Sequence, residues 1–475
     1  MPRSYDAVVV GSGPNGLAAA ITLAERGLAV HVIEAESEIG GGCRTAELTL
    51  PGFHHDFCAA VLPFGVASPF FRAFDPVARG VEFVFPPAPL AHPLEGEDAV
   101  LLERSVDDTA ANLGQDRARY RRIFAPLARH APQLLDQFLG PLRLPRHPLM
   151  VGAFGIPALL PATAFARLAY RGARARALFA GVAGHSMLSL DSPASTSIGL
   201  MLNLIGHASG WPVVRGGTAK VAMALAARLG DLGGTVETGR RVTSLADLPS
   251  SRLRVLDMVP RDIDRVCAEQ LPERYRRRMR SYRYGPGVFK VDWALDGPVP
   301  WADPRCARAA TVHIGGGIAE IVASEAAVAA GRHAERPFVI LAQPSLFDSS
   351  RAPSGQQTLW GYCHVPNGSR HDMTSAIEAQ VERFAPGFRD RIIARHTMDT
   401  AALEAHNTNN VGGDINGGMF SLSQLFTRPA PRISPYTTPN PSIFIGSAAT
   451  PPGGGVHGMC GWWAAQAALR SLARR

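Results

Sequence analysis

The first 35 residues alternate short apolar runs with an alanine-rich stretch, and this pattern predicts one β-α-β unit. Residues 7–10 are four consecutive apolar residues, which is typical of a buried strand. Residues 17–24 are mostly apolar and rich in alanine and predict a helix, whereas residues 29–33 predict a second strand. A unit of this kind belongs to a parallel sheet with helices on its faces.

A glycine pattern connects the first strand to the helix. Gly11, Gly13 and Gly16 have the GxGxxG spacing: the first makes a tight turn, the second lets the backbone approach a pyrophosphate, and the third lets the helix pack closely on the strand. The positive N-terminal end of the helix then faces the phosphates. Glu34 follows the second strand, where a carboxylate accepts hydrogen bonds from a ribose. These residues predict a dinucleotide site.

Two further glycine-rich segments indicate which dinucleotide binds. Residues 40–42 are three glycines followed closely by Arg44; they add donors to the same pyrophosphate, as is typical of FAD-binding flavoproteins and rare in NAD sites. Near the end of the chain, an apolar strand at 442–445 precedes a Gly/Pro loop at 446–458 and a helix at 462–469. Amides at that helix start would face the negative charge at N1–C2=O of a reduced isoalloxazine. Two phosphate- or flavin-binding loops that are separated by most of the chain imply an extended cofactor. The predicted cofactor is therefore FAD.

The N-terminal region, the C-terminal region and an internal segment of the chain resemble a known family. The sharpest stretches of this resemblance are residues 6–58 and 412–468, which include GGDINGG at 412–418 and QLFTRP at 424–429. These segments resemble the phytoene desaturase-related FAD oxidoreductases, and more narrowly the bacterial branch similar to animal mitochondrial pyridine-nucleotide-disulphide-oxidoreductase-domain proteins. The resemblance implies an α/β fold in which a glutathione-reductase-type, Rossmann-like FAD-binding domain is interleaved with a substrate domain of mixed or antiparallel sheet plus helices.

The resemblance also implies which residues contact FAD. Many members of the wider superfamily carry an acid after the glycine of the C-terminal strand, where it contacts the ribityl chain; this chain has Ser447, whose hydroxyl or backbone is expected to substitute. The backbone of Val242 is expected to meet the adenine. The full predicted set is Gly11, Ser12, Gly13, Pro14, Asn15, Gly16, Glu34, Ala35, Gly41, Gly42, Arg44, Val242, Gly446, Ser447, Gly454, Gly455 and Val456.

The predicted domain boundaries lie where the alternation of predicted strands and helices stops and where it resumes. The FAD-binding domain is expected in three segments (1–75, 210–265 and 430–475). Between them lie a helical substrate lobe (76–209) and a sheet-rich substrate lobe (266–429). Residues 287–295, 338–342 and 359–365 are rich in aromatic and β-branched residues and predict the strands of a sheet over the flavin. Residues 240–245 predict another strand, in the middle FAD-binding segment.

The composition limits the other classes of function. Apolar residues make up 46% of the chain and charged residues 19%, as in a globular protein. The net charge of +8 comes almost wholly from arginines, which are scattered without aromatic interleaving, so nucleic-acid binding is not expected. The six cysteines have neither CxxC nor metal-ligand spacing, which predicts reduced thiols and neither a redox disulphide nor a metal site.

One stretch invites a comparison with membrane segments. Residues 147–166 contain no Asp, Glu, Lys or Arg, but three prolines exclude a spanning helix, and four arginines follow by residue 176. Two interpretations stay open: residues 147–176 make peripheral contact with a membrane and admit a lipid-soluble substrate, or short helices cover the substrate cavity of a soluble protein. Because no signal peptide precedes the first strand, the predicted location is the cytoplasm.

Three side chains are candidates for the substrate chemistry. A dehydrogenation releases a proton as well as a hydride, and His364, at the end of an apolar strand, and Asp414, in a glycine-rich loop, are candidate acceptors. His457 is a candidate donor beside the flavin. The alternative is that each is structural and that binding geometry supplies the catalysis. Lys290 and Asp292 alternate on one strand face and predict an ion pair rather than a catalytic role.

Three functions remain open on the sequence alone. The leading prediction is an FAD-dependent oxidoreductase that desaturates, or in reverse saturates or isomerises, an apolar isoprenoid- or lipid-like substrate by hydride transfer to flavin N5. The alternatives are an amine or amino-acid oxidase that uses O2 and a non-catalytic FAD-binding scaffold. The GxGxxG motif is not repeated to make an NAD(P)H site, so the expected electron acceptor is O2, a quinone or another carrier.

Overall fold

The computed structural model describes residues 4–474, which contain sixteen strands and eighteen α-helices. The strands are β1 (Tyr5–Val10), β2 (Val30–Ile33), β3 (Thr45–Glu47), β4 (His54–Asp56), β5 (Phe83–Val84), β6 (Ala88–Leu94), β7 (Glu97–Leu102), β8 (Val213–Val214), β9 (Thr235–Glu237), β10 (Ser251–Leu256), β11 (Gly287–Leu295), β12 (Ala309–Ile314), β13 (Val339–Ala342), β14 (Gln357–Val365), β15 (Ile392–Met398) and β16 (Ile443–Ile445). The helices are α1 (Pro14–Ala24), α2 (Pro63–Ala67), α3 (Pro69–Phe74), α4 (Val106–Ala111), α5 (Arg117–Arg129), α6 (Ala131–Phe138), α7 (Pro148–Ala158), α8 (Ala162–Ala169), α9 (Ala173–Gly184), α10 (Thr196–Ala208), α11 (Ala219–Asp231), α12 (Pro260–Val266), α13 (Glu273–Arg280), α14 (Ile318–Ala329), α15 (Thr374–Phe384), α16 (Thr400–His406), α17 (Leu422–Thr427) and α18 (Met459–Leu472).

A five-stranded parallel sheet forms the predicted Rossmann-like unit. Its strand order is β16-β10-β1-β2-β9, and every neighbouring pair is parallel. The residues of β2 and β16 are all buried, as expected for a parallel sheet that helices cover on both faces. The carboxyl ends of β1, β2, β10 and β16 therefore share one edge, which is where an open α/β sheet binds its ligand.

A seven-stranded sheet forms the predicted substrate domain. Its order is β15-β11-β14-β13-β12-β6-β7, and all neighbours are antiparallel except β12 and β6. The longest pairing runs in unbroken register from Gly287 with Val365 to Leu295 with Gln357. The expected mixed sheet is confirmed, and so are the strands predicted near residues 287, 338 and 359. The exact domain boundaries stay a prediction.

Residues 76–209 are predicted to form a helical lobe, and the structure corrects this prediction near the start of the range. The lobe contains α4 to α10, but β6 and β7 lie near its start and pair as one edge of the seven-stranded sheet. Pro89 and Pro93 lie within β6, and a proline normally weakens the prediction of a strand because it cannot donate to the ladder. The pairing of β6 with the distant β12 stabilises a strand that the local sequence does not favour.

The strand predicted at residues 240–245 is absent from the structure. These residues form a capping turn instead, in which the amides of Thr243 and Ser244 both donate to Asp247 Oδ2 at 2.9 Å. Ser244 in turn caps the following short 3₁₀ turn. A carboxylate that satisfies successive amides competes directly with a strand ladder.

Among the described residues, no single helix is long and apolar enough to cross a membrane. The consecutive helices α7 and α8 reach the required length and composition only as a pair, and they are bent by 114° at the break between them.

Candidate cofactor and active site

A cleft of about 770 Å³ lies at the carboxyl edge of the five-stranded sheet and continues beneath the helical lobe. One region of its wall, the cofactor end, contains the glycine loop of residues 11–16, Glu34 and Arg44. The other region, the apolar chamber, is lined by side chains that include Phe64, Met201 and Ile340. The two regions form one continuous space, as a cofactor and its substrate require.

The glycine loop is packed too tightly for side chains. Gly11 has φ of +99°, in the region that favours glycine. A Cβ on Gly16 would lie 2.0 Å from the carbonyl oxygen of Gly11. Helix α1 begins at Pro14 and points its N-terminus at the cleft, and the buried Asn15 Oδ1 there has no partner among the described residues. The loop fits phosphates at a helix N-terminus.

Glu34 lies where a ribose acid is expected. Its Oε2 accepts hydrogen bonds from the amide and the hydroxyl of Ser12 at 2.8 and 2.6 Å. Its Oε1 accepts from the amide of Glu36 at 3.0 Å. The carboxylate is thereby fixed in the cleft wall, ready to accept from a sugar hydroxyl.

Arg44 brings positive charge to the same end of the cleft. Its Nε donates to the carbonyl of Gly41 at 3.0 Å and its Nη2 to the carbonyl of His406 at 2.6 Å. Burial lowers the pKa of this guanidinium, which Glu34 and other nearby acids partly offset. Two carbonyls orient the guanidinium without neutralising it, so its charge is available to a pyrophosphate.

Most of the predicted cofactor residues lie in the cleft wall. The wall contains Gly11, Gly13, Pro14, Asn15, Glu34, Ala35, Gly41, Gly42, Arg44, Val242, Ser447, Gly454, Gly455 and Val456. Ser12, Gly16 and Gly446 do not belong to the wall surface; they lie behind it, where Ser12 holds Glu34 and Gly16 lets α1 approach β1. The wall therefore extends from the first glycine loop to the C-terminal one, as the length of FAD requires.

His457 lies in the wall, but its bonds contradict the predicted role as a donor. The amide of Met459 donates to His457 Nδ1 at 3.0 Å, so Nε2 carries the proton that it donates to the carbonyl of Gly453 at 3.0 Å. Burial lowers the pKa of His457 to about 4, so the ring is neutral at pH 7. Both nitrogens are engaged in ordering the start of α18.

Asp414 and His364 are not in the cleft wall, which argues against their predicted role as proton acceptors. Asp414 is fully buried, and its oxygens accept from the amides of Gly285 at 2.7 Å and Asn416 at 2.8 Å, so it anchors the glycine-rich loop. His364 is buried on the same face of β14 as the wall residues Trp360 and Tyr362, but it does not itself line the cleft. Its Nδ1 lies 2.8 Å from Glu325 Oε2, and its Nε2 has no partner among the described residues. The type of a residue at a strand end or in a loop does not show whether its side chain reaches the cleft.

The predicted pairing of Lys290 with Asp292 is confirmed. Lys290 Nζ donates to Asp292 Oδ2, both side chains are buried, and His55 Nδ1 lies 3.5 Å from Asp292 Oδ1. The pair belongs to the interior of β11 and not to the cleft wall.

Arg428 is a residue of the cleft wall that the sequence analysis missed. It is buried, donates to the carbonyls of Ala448 at 2.9 Å and Ala449 at 3.3 Å, and donates to the hydroxyl of Tyr282 at 3.1 Å. Its Nη1 has no partner among the described residues, and none of their carboxylates forms an ion pair with it. The residue was visible in the QLFTRP segment, but nothing local shows that its side chain reaches the C-terminal loop.

Asp257 is the second residue that was missed. It follows β10, its Oδ2 accepts from the amide of Gly16 at 2.9 Å, and a Cβ on Gly13 would lie 3.2 Å from the same oxygen. Burial and, to a smaller degree, the charge of Glu34 raise the pKa of Asp257 to about 7, against which the Gly16 hydrogen bond acts. A carboxyl group thus lies beside the loop that fits phosphates.

We expect FAD binding to weaken as the pH rises through about 7, because Asp257 then becomes an anion beside the pyrophosphate. The charged form is favoured above the pKa and the neutral form below it, so affinity is highest on the acid side. Asp257→Asn should bind FAD more tightly at pH 8 and remove most of this dependence, as measured by fluorescence titration between pH 6 and 8. Asp264→Asn is the matched control, since its carboxylate pairs with Arg276 on α13. A pH profile that Asp257→Asn leaves unchanged would contradict this assignment.

Comparisons with known proteins agree with this architecture. Residues 9–76 match the family described as NAD(P)-binding Rossmann-like domain. The chain is 24% identical to pyridine nucleotide-disulfide oxidoreductase domain-containing protein 2 of Rattus norvegicus, over 98% of this chain and 94% of that protein.

Solved structures are similar along the whole chain. An oxidoreductase from Methanosarcina mazei has a TM-score of 0.66 at 16% identity, covering 98% of this chain and all (100%) of that one. Putrescine oxidase bound to putrescine has a TM-score of 0.62 at 17% identity, covering 100% of both chains. The chain has the fold of the FAD-type oxidoreductases, and its cleft fits that cofactor.

Proposed function

We propose that the protein is an FAD-dependent oxidoreductase that removes hydrogen from, or in reverse adds hydrogen to, an apolar isoprenoid- or lipid-like substrate. The observation that carries this proposal is the apolar chamber, which is continuous with the cofactor end of the cleft. Bound FAD supplies a hydride acceptor at N5. The wider resemblance to phytoene desaturase-related enzymes supports the same substrate class.

The chamber walls can hold an apolar chain and exclude water. They come from three directions: the segment with Phe64, the helical lobe with Phe154 and Met201, and the seven-stranded sheet with Ile340 and Trp360. Burying an apolar chain against such walls contributes about 25 cal/mol per Å² of apolar area removed from water. The binding energy comes from packing, and the chamber holds the reacting C–H bond in position.

The polar groups of the wall also favour an apolar substrate. The only acids in the wall are Glu34, Glu36, Asp257 and Asp262, all near the glycine loop or the segment after β10, so no described carboxylate faces the chamber. His185 lies in the wall, its Nε2 is 2.8 Å from His313 Nε2, and burial lowers its pKa to about 3. It is therefore a neutral ring at pH 7 and offers no negative charge to a bound ammonium group.

An amine oxidase that uses O2 is the second candidate. The likeness to putrescine oxidase in fold favours it, as does the pair of Trp360 and Tyr362 in the wall, whose ring centroids are 5.2 Å apart. A buried ammonium group needs a carboxylate or facing aromatic rings. These two rings are edge to face at 81°, which makes a poor cage. The non-catalytic scaffold is the least supported, since the chamber opens onto the cofactor end.

Anaerobic titration of the FAD-loaded protein separates these candidates. We expect bleaching of the flavin absorbance by an isoprenoid or long-chain lipid and none by diamines or cyclic amines. Bleaching by an amine alone would move the assignment to the oxidase. Readmission of air then tests O2 as the electron acceptor: prompt return of the flavin bands identifies an oxidase-type reoxidation, and slow return indicates a quinone or another carrier.

A further inference from the structure

Exposed apolar side chains are concentrated in one segment of the helical lobe. Leu142, Leu144, Leu149, Ile156 and Leu168 are all largely exposed, and Leu144 and Leu149 reach 92% and 91%. We call these five side chains the apolar surface. Side chains this exposed contribute little to the core, and several of them within one short segment indicate an interaction site.

The segment that carries the apolar surface has charges of one sign only. Residues 137–190 contain no aspartate or glutamate and six arginines. Arg174 pairs with Glu97 at 3.4 Å, and Arg176 donates to the carbonyl of Tyr170, whereas Arg146 and Arg167 are exposed and form no ion pair among the described residues. Exposed arginines beside exposed leucines match the surface of an anionic bilayer, whose headgroups attract the charge and whose acyl chains accept the leucines.

The same segment contributes to the cleft wall. On α7, Leu149 and Ile156 face outward, whereas Phe154 and Ala158 are buried and line the cleft. Leu142 and Leu159 are exposed and also belong to the wall. The outer surface is therefore continuous with the chamber at these two residues. The sharp bend between α7 and α8 makes the pair unsuited to a straight span and suited to lying along an interface.

We propose that the apolar surface docks onto an anionic lipid bilayer and that an apolar substrate passes from the bilayer into the chamber beside Leu142 and Leu159. The docking step stands on the surface alone, and the substrate-uptake step rests on the proposed function. A second copy of the chain is disfavoured as the occupant, because a symmetric contact would bring the exposed arginines of both copies together and the segment itself contains no acid to pair them.

Vesicle sedimentation of the full-length, FAD-loaded protein tests the docking. The probes are vesicles of phosphatidylcholine with about one-third phosphatidylglycerol and vesicles of phosphatidylcholine alone. We expect binding to the anionic vesicles, a loss of at least tenfold in the Leu144→Glu, Leu149→Glu double variant, and a decrease at high salt. Val77→Glu, Met223→Glu is the matched control, since both residues are more than half exposed, at 63% and 53%, outside this segment.

Each outcome supports or overturns the docking. Equal binding of the leucine variant and the wild type, or no binding to anionic vesicles, would overturn it. A wild-type dimer in sedimentation equilibrium that the leucine variant disperses, without vesicle binding, would identify a second copy as the occupant and also overturn it. Turnover of substrate dispersed in detergent separates the two proposals: docking can fail while turnover persists, and turnover can fail while docking persists.

Discussion

Replacing Gly461 by alanine should force α18 away from α1 and weaken both folding and FAD binding. A Cβ at residue 461 would lie 1.7 Å from the carbonyl oxygen of Asn15 and 3.1 Å from the amide nitrogen of Ala19. Both are backbone atoms, so no side-chain rotation relieves the clash. Asn15 belongs to the glycine loop, and its displacement would reshape the phosphate end of the cleft.

The expected cost follows from two opposing effects. Overpacking costs about 1–3 kcal/mol and more where backbone must shift, whereas alanine gains about 1 kcal/mol over glycine in helix propensity. With a backbone clash this close, we expect a net loss of about 2 kcal/mol or more in the free energy of unfolding, and at least a tenfold loss of FAD affinity. Urea unfolding and FAD fluorescence titration measure the two quantities.

Gly230→Ala is the matched control for this substitution. Residue 230 lies in α11, and a Cβ there would meet no atom within 4 Å. It should gain up to about 1 kcal/mol in stability and bind FAD normally. If Gly461→Ala unfolds like the wild type and keeps its FAD affinity, the close crossing of α1 and α18 does not shape the cofactor site.

Replacing Arg428 by glutamine should lower the reduction potential of bound FAD. Arg428 is 2% exposed, has an unpartnered Nη1 among the described residues, and lies against the C-terminal loop, where a Cβ on Gly453 would be 3.0 Å from that nitrogen. A buried cation without a directly paired carboxylate is stabilised by negative charge in the cleft, and the reduced cofactor carries more negative charge than the oxidised form. We expect a ten- to hundredfold loss in the preference for the reduced form, which is about 30–60 mV for two electrons.

Arg428→Lys separates the effect of the positive charge from the effect of the hydrogen bonds that the guanidinium makes. Arg428→Lys keeps the positive charge but loses the bonds of the guanidinium to Ala448, Ala449 and Tyr282, so it should keep most of the potential while losing some stability. Arg228→Gln is the control, because that arginine pairs with Glu25 away from the cleft. Potentials are measured against reference dyes. Equal potentials for Arg428→Gln and the wild type would show that Arg428 only holds the loops together.

The elements of the fold that could be predicted from the sequence are those with local causes. Gly11, Gly13, Gly16 and Glu34 act within one β-α-β unit, so their spacing alone places them, and the structure brings them to one edge of the sheet. The strand β6 escaped prediction because its prolines weaken the local signal and its stability comes from pairing with β12, more than 200 residues away.

The residues at the cofactor end of the site could be predicted from the sequence, but the side chains that act elsewhere in the site could not. Asp257 and Arg428 act on segments far away in the chain, and Asp257 bonds to Gly16 across 241 residues. His364, Asp414 and His457 are candidates by residue type, but type does not reveal that none of them offers the expected group to the cleft. Backbone groups bind Asp414 and both ring nitrogens of His457, and a glutamate binds Nδ1 of His364. His185 reaches the chamber because the helical lobe packs over the sheet.

The visible spectrum of the purified protein tests whether this cleft holds FAD from the glycine loop to the start of α18. The spectrum is followed by titration of any empty fraction with FAD and, separately, with NAD⁺. We expect flavin absorbance at one FAD per chain, weakened in Gly461→Ala, and no stoichiometric binding of NAD⁺. A protein that shows no flavin bands, takes up none when FAD is added and binds NAD⁺ instead would contradict the assignment of this cleft to FAD.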